Sequence, residues 1–403
     1  MLTLIPYFFL NNNIFSKKGD KILDPFCGSG TVLLEAQIAS RYSFGIDSNP
    51  LARLITKVKT ETYKIRLLEE YKKKILKNYK SIQINEHDFV EFDNIDFWYS
   101  KRIKRELTKI LFSINQINND KYKNFFLVCF SNCVRKVSFA DPKISVPVKL
   151  DLERYDARTK FYKKIEKRVN YVKKVRVIKK YEEIMNNNID RMAEKNEIVN
   201  RNYKSFLISD DVRNFVNHES KKSMVGKIEK ESMNLIITSP PYAGAQKYIR
   251  ASKLNLSWLG IAQNGTLKNL DQMTIGRENY QTDAYKELLE TNIEAADRLL
   301  KKIHKLNPLR AHIAANYLNE MRNALNEIVN ALKTGGYLVL IIGNNNLCGY
   351  EFKTHNYLTY ILEDLGLKVI FKLVDDIKSY GLMTKRNKTA DIINREWVLV
   401  FEK

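Results

Sequence analysis

This 403-residue sequence predicts an α/β fold: a seven-stranded, mostly parallel sheet carrying a mainly helical insertion. Three observations lead there. Short apolar runs of strand length alternate with helix-like segments, the pattern of a sheet covered on both faces. That rhythm breaks once, between Ile46 and Ser205, over a stretch far longer than any ordinary crossover, so a subdomain is inserted there. A polar loop separates the last two runs, which suits an antiparallel hairpin closing one sheet edge.

The opening Met1–Leu10 is apolar, lacks a basic leader and a small-residue cleavage site, and is too short to span a bilayer. It reads as a packed first segment of a cytoplasmic protein. The strand runs are Lys21–Leu23, Tyr42–Ile46, Ser205–Ile208, Asn234–Ile237, Tyr337–Ile342, Lys368–Leu373 and Trp397–Phe401. Helical segments follow several of them, at Thr31–Ser40, Asn49–Lys59 and Asn319–Leu332. The insertion has an amphipathic helix at Lys101–Ile117, an apolar one at Asn124–Val134 and a loop at Ser138–Pro147. A second helical excursion runs from Thr282 to Leu332. These boundaries divide the chain into a first part of the Rossmann-like sheet domain at 1–80, an inserted helical, basic region at 81–204 and a second part of the sheet domain at 205–403.

Formal charge is +22, and a Lys/Arg surplus of this size points to a polyanionic partner. The charge concentrates in the insertion: Phe161–Lys180 holds nine Lys/Arg against the single acid Glu166, with Tyr162 and Tyr171 interleaved. A solvated helix face is the plainer explanation of such a run. Cys129 and Cys133 lie one helical turn apart without the partners of a zinc site, so they read as core thiols and no metal is expected. No Gly-x-x-x-x-Gly-Lys-Ser/Thr loop is present, which removes the phosphate cradle of an ATPase.

Two short strings carry chemistry. Asp24-Pro25-Phe26-Cys27-Gly28-Ser29-Gly30-Thr31 follows the first strand, and its glycines let the backbone turn closely around a nucleotide-like cofactor. Thr31 or Ser29 is placed to cap the helix that follows. Asp47, seventeen residues after Gly30, ends the second strand, where an acid can accept both ribose hydroxyls; a helix cap is its compatible alternative. The second string, Thr238-Ser239-Pro240-Pro241-Tyr242, follows the fourth strand. A polar side chain, two rigid prolines and an aromatic ring suit a stacked pocket for a flat base.

Together the strings resemble those of the DNA amino-methyltransferases, which move a methyl group from S-adenosylmethionine to the exocyclic amine of cytosine or adenine. The resemblance implies a Rossmann-like seven-stranded methyltransferase sheet. It further implies that Asp24 faces the methionine portion of the cofactor, that the backbone from Phe26 to Gly30 wraps it, and that an acid after the third strand bonds the adenine amine. In Ser209-Asp210-Asp211-Val212-Arg213 that acid is Asp211 or Asp210, with Asp211-Val212-Arg213 matching the pattern slightly better. Tyr248-Ile249-Arg250, Trp258-Leu259-Gly260, Thr334-Gly335-Gly336-Tyr337, Ile342-Gly343-Asn344 and Lys385-Arg386-Asn387 fit the same family, and Cys133–Ser138 is similar to a segment of its insertions.

An exocyclic amine is a poor nucleophile because its lone pair is delocalised into the ring. It must be pulled towards tetrahedral geometry by acceptors that hold its hydrogens and aimed in line with the carbon–sulfur bond. The Ser239 hydroxyl and the Pro240 carbonyl are those acceptors, the two prolines limit reorganisation, and Tyr242 offers a ring for the extruded base. Serine at 239 favours cytosine N4; adenine N6 is the alternative. A C5-cytosine enzyme lacks its Pro-Cys nucleophile here. A tRNA guanine-N2 methyltransferase is disfavoured by Ser239 and by the short stretch before Asp24, and a non-catalytic DNA-binding subunit by the intact motifs. The partner implied is double-stranded DNA, with Arg135, Lys136, Lys163, Lys164, Lys167, Arg168, Lys173, Lys174 and Arg250 as candidate phosphate contacts. A separate cognate restriction endonuclease is a further partner, and no membrane is expected.

Overall fold

The computed structural model describes all residues except 1–2, 219–226, 245–247, 263–264 and 377–394. The chain forms two compact units, one of residues 1–60, 199–247 and 269–403, the other of residues 61–198 and 248–268.

The first unit holds the sheet. Its strands are β1 (Lys21–Asp24), β2 (Tyr42–Ile46), β3 (Ser205–Ser209), β4 (Met233–Thr238), β5 (Leu332–Gly343), β6 (Lys368–Asp376) and β7 (Arg395–Glu402). Their order is β3-β2-β1-β4-β5-β7-β6. β1 to β5 run parallel, and β7 runs antiparallel to both its neighbours. All seven expected strands are present, with the closing hairpin at the edge.

Alternation along the strands sorts side chains onto two faces. Leu23, Ile236, Leu338, Leu340, Ile342, Leu399 and Phe401 face the helices Glu294–Leu306, Pro308–Ala331 and Thr354–Asp364. Ile22, Leu235, Ile237, Val339, Ile341, Val398 and Val400 face Leu4–Asn11 and Thr31–Ile38, through Phe9, Leu10, Val32 and Ala36. The apolar opening segment is therefore a helix packed on the sheet by one face, with Pro6, Phe9 and Leu10 buried and Leu4, Tyr7 and Phe8 exposed. β5 begins five residues before the expected Tyr337, because Gly336 lets it lie close to β4: a Cβ there would stand 2.9 Å from the Asn234 carbonyl.

The second unit is helical, with Ile65–Ser81, Lys101–Asn115, Asp120–Lys136, Lys160–Lys174 and Val177–Ile198 as its main elements. It differs from the expected 81–204 at both ends. Helix Ile65–Ser81 packs on Lys101–Asn115 and Val177–Ile198, which draws residues from 61 onward into this unit. The segment 248–268 joins it because fully buried Trp258 sits edge-on to Phe92, Tyr99 and Phe130. Asn255 adds a tie, its Nδ2 donating to the Ser131 carbonyl at 2.7 Å. Cys129 and Cys133 are buried free thiols in this core.

Candidate active site at the carboxyl ends of the first and fourth strands

Strand order reverses between β1 and β4, and in open α/β sheets the ligand crevice lies outside the carboxyl ends of the strands at such a switch point. Both motifs stand there. β1 and β4 are parallel neighbours, Ile22 opposite Leu235 and Leu23 opposite Ile236, so Asp24 and Thr238 end the two strands side by side. The Thr238 hydroxyl donates to Asp24 Oδ1 at 2.8 Å, and the Phe26 amide donates to the same oxygen at 3.2 Å.

Asp24 is only 3% exposed. Burial lifts its carboxyl from 3.8 to about 7; the bonds from Thr238 and Phe26 oppose the rise, and the nearby Asp47 charge adds to it. The turn that follows is drawn tight by the Gly30 amide, which donates to the Cys27 carbonyl at 2.7 Å. Gly28 and Gly30 adopt positive φ, +51° and +73°. A Cβ on Gly30 would sit 2.7 Å from Thr56 Cγ2, whereas one on Gly28 would meet nothing within 4 Å. Gly30 itself occupies the cap position of helix Thr31–Ile38 and no side chain caps it, so neither Ser29 nor Thr31 does the capping expected of them.

Asp47 ties this turn to the next helix. Its Oδ2 accepts from the Gly28 amide at 2.8 Å and its Oδ1 from the Asn49 amide at 2.8 Å. Burial raises its pKa, against the pull of those two bonds and of Arg53. Each oxygen keeps a further lone pair. Thr56 completes the tie by donating its hydroxyl to the Gly28 carbonyl at 2.8 Å.

The two acids after β3 differ in surroundings. Asp211 accepts from the Arg213 amide and Nε on one oxygen and from Nη2 on the other, at 2.9, 2.8 and 3.1 Å. Burial would raise its pKa, but the Arg213 bonds outweigh it and hold it below the usual carboxylate value. Asp210 is exposed and lies 3.7 Å from Arg53 Nη2, in an open groove with Leu54, Lys57, Leu207 and Ile208.

Ser239 is half-buried, and its hydroxyl makes no hydrogen bond to any described residue. Pro240 is buried and Pro241 half-buried. Tyr242 is 8% exposed, so its ring forms part of the wall of the corner, and its hydroxyl donates to Glu396 Oε1. The Ala243 carbonyl accepts from Asn345 Nδ2 at 2.6 Å. Thr238 stood in the motif string without a role, and Thr56, Asn345 and Glu396 carried no sequence signal at all.

In the helical unit Lys136, Lys163, Lys164, Lys167, Lys173 and Lys174 are exposed, as is Arg250 in the short helix Tyr248–Ala251. Helix Lys160–Lys174 buries Ile165, Val169 and Val172 and turns its lysines outward. The Lys143 ammonium lies close to Lys164 and depresses its pKa. Arg135 and Arg168 are engaged differently. Arg135 donates to the carbonyls of Ile144 and Ala251, the latter at 3.1 Å, and Arg168 donates to that of Lys136 at 2.7 Å. Burial lowers the pKa of both. Lys385-Arg386-Asn387 lies outside the described residues. Among the described residues, no helix is long and apolar enough to cross a membrane, and no group of three or more His, Cys, Asp or Glu is placed to hold a metal ion.

Residues 13–57, which contain the whole first motif and Asp47, match the family model described as DNA methylase. The type II methyltransferase M.MvaI of Kocuria varians is 22% identical over 95% of this chain and 83% of its own length. M.BsoBI of Geobacillus stearothermophilus, also a type II methyltransferase, is 22% identical over 93% of this chain and 76% of its own. M.MjaII of Methanocaldococcus jannaschii is 32% identical over a shorter stretch, 28% of this chain and 22% of that protein. Motifs and relatives agree: this chain is similar along most of its length to type II methyltransferases, and its first motif to the DNA methylases.

Proposed function

We propose that the chain transfers a methyl group to the N4 amine of cytosine in duplex DNA, with the target base extruded from the stack. The observation that carries this reading is the 2.8 Å hydrogen bond from Thr238 to Asp24, which joins the last residue before the Ser239 corner to the first residue of the glycine turn.

The residues around the turn fit S-adenosylmethionine. The buried Asp24 carboxyl, raised by desolvation, gains from a cationic ammonium beside it. The first-turn amides of helix Thr31–Ile38 lack a side-chain cap and suit a carboxylate. Asp47 keeps lone pairs for the ribose hydroxyls, and Asp210 or Asp211 accepts the adenine amine. Pro25, Phe26, Cys27, Gly28, Gly30 and Thr31 supply the enclosing backbone.

When bound, the cofactor supplies a methyl carbon on positively charged sulfur. The base nitrogen would offer its lone pair to that carbon, and the methylated amine would give up one proton to water. Ser239 and the Pro240 carbonyl hold the amine hydrogens, so that the lone pair is freed from the ring. No described side chain competes for the Ser239 hydroxyl. Pro241 fixes the backbone and Tyr242 walls the pocket. A neutral hydroxyl at 239 supports cytosine over adenine.

The exposed Lys136, Lys163, Lys164, Lys167, Lys173, Lys174 and Arg250 are assigned to phosphates of the duplex. The closeness of Lys143 to Lys164 favours an anion there. Arg135 and Arg168 are assigned instead to holding backbone carbonyls. With type II methyltransferases as relatives, a separate cognate restriction endonuclease is the cellular partner this reading implies. The test is incubation of random-sequence duplex with labelled cofactor, followed by digestion to nucleosides. N4-methylcytosine is expected; N6-methyladenine would overturn the base assignment, and an unlabelled duplex the whole reading.

A further inference from the structure

We infer that Glu396 is a positioning residue for methyl transfer, acting through Tyr242 to hold the Ser239–Pro240 corner in register. The inference rests on the methyl-transfer reading above and adds a residue that neither motif contains.

Glu396 lies at the start of β7 opposite Gly343, the last residue of β5, and so stands at the carboxyl end of the sheet beside the corner. Its carboxylate is half-buried, and its one hydrogen-bond partner among the described residues is the Tyr242 hydroxyl. One residue further on, the Ala243 carbonyl is held by Asn345, a side chain 5% exposed whose own Oδ1 accepts from the Asn346 amide at 2.9 Å. Gly244 then takes a positive φ of +61°.

The corner is thus gripped at both ends. Upstream, Thr238 is fixed to Asp24 and to the β4 ladder; downstream, Tyr242 and Ala243 are fixed to the start of β7 and the exit of β5. Between the grips Pro240 and Pro241 restrict φ, so the freedom left to Ser239 is a swing of the whole corner. The Tyr242–Glu396 bond opposes that swing, and a charged acceptor makes it stronger than a neutral one. Cofactor contacts are built from β1, β2 and β3 on the other side of β4, so Glu396 influences the rate of transfer and leaves cofactor affinity alone.

Full-length wild type, Glu396→Ala, Glu396→Gln, Tyr242→Phe and the double variant Tyr242→Phe/Glu396→Ala are compared by steady-state methylation of duplex DNA and by calorimetric titration with cofactor. Misplacement of reacting groups by about 1 Å costs on the order of 100-fold, so kcat of Glu396→Ala is expected to fall roughly 10- to 100-fold. Cofactor Kd and KM for DNA should stay within about 2-fold of wild type. Glu396→Gln keeps an oxygen acceptor and should recover most of the rate, and the double variant should be no slower than Tyr242→Phe. Wild-type turnover by Glu396→Ala, no rescue by glutamine, or fully additive losses would each overturn the inference. Should Glu396→Ala fail to fold, Tyr242→Phe decides alone: a reduced kcat supports the inference and wild-type turnover overturns it. Failure confined to the variants leaves the methyl-transfer reading standing, whereas a wild-type chain that transfers no methyl to DNA removes both.

Discussion

Replacing Asp24 by asparagine should stabilise the cofactor-free protein at alkaline pH and weaken cofactor binding at the same time. In the unfolded chain this carboxyl ionises near 3.8; in the fold, burial raises the value to about 7. The folded state therefore binds the proton more tightly. The stability that this supplies is complete below the unfolded value, fades as pH rises from 3.8, and is gone above about 7, where the fold must carry a buried charge. At roughly 1.4 kcal/mol per pH unit of that interval, the stability lost relative to acid pH is about 1.5 kcal/mol at pH 5 and about 4 kcal/mol at pH 8. Asparagine keeps an Oδ1 to accept from Thr238 and Phe26 and carries no charge. Urea denaturation of both proteins without cofactor should show the variant gaining on wild type by about 2–3 kcal/mol between pH 5 and pH 8, since titrations that do not feel the Asp24 charge cancel in the difference. Calorimetry at pH 8 should show cofactor affinity reduced. A stability difference that does not change with pH would refute the buried, proton-hungry Asp24, and full cofactor affinity would remove it from the binding site.

Two other outcomes follow from the geometry. Gly30→Ala forces a Cβ to within 2.7 Å of Thr56 Cγ2 at a backbone φ of +73°, so thermal denaturation should show a loss of about 1–3 kcal/mol together with loss of cofactor binding; a stable variant that binds cofactor normally would contradict the close turn. Neutralising Lys163, Lys164, Lys167, Lys173 and Lys174 together should flatten the salt dependence of duplex binding, by about 0.9 in log–log slope for each phosphate that these lysines no longer neutralise, while cofactor affinity holds. An unchanged slope would make helix Lys160–Lys174 a solvated face.

The strands were legible because each is a short apolar run between polar turns, and burial on both faces leaves no ambiguity about β4 or β5. The glycine turn and the serine–diproline corner were legible as strings. Their meeting point was not, because it depends on β1 lying next to β4, a pairing between residues more than two hundred positions apart. Glu396 was invisible for the same reason: one acid beside Trp397 says nothing until the antiparallel β7 brings it to Tyr242. The surroundings of the arginines were not legible either: Arg135 and Arg168 both donate to backbone carbonyls, and only three-dimensional placement separates such a tie from an exposed lysine. The helical unit's outline was blurred at Tyr248–Lys268, where the chain leaves the second motif and supplies Trp258 to a distant core.

The division of labour between turn and corner is tested most directly by Ser239→Ala, with cofactor affinity and single-turnover methyl transfer to duplex measured on one preparation. Cofactor Kd within about 2-fold of wild type and transfer slowed by roughly 100-fold or more are expected, as for loss of one preorganised polar group at a reacting centre. Transfer at the wild-type rate, or a loss of cofactor binding that accounts for the whole defect, would contradict it.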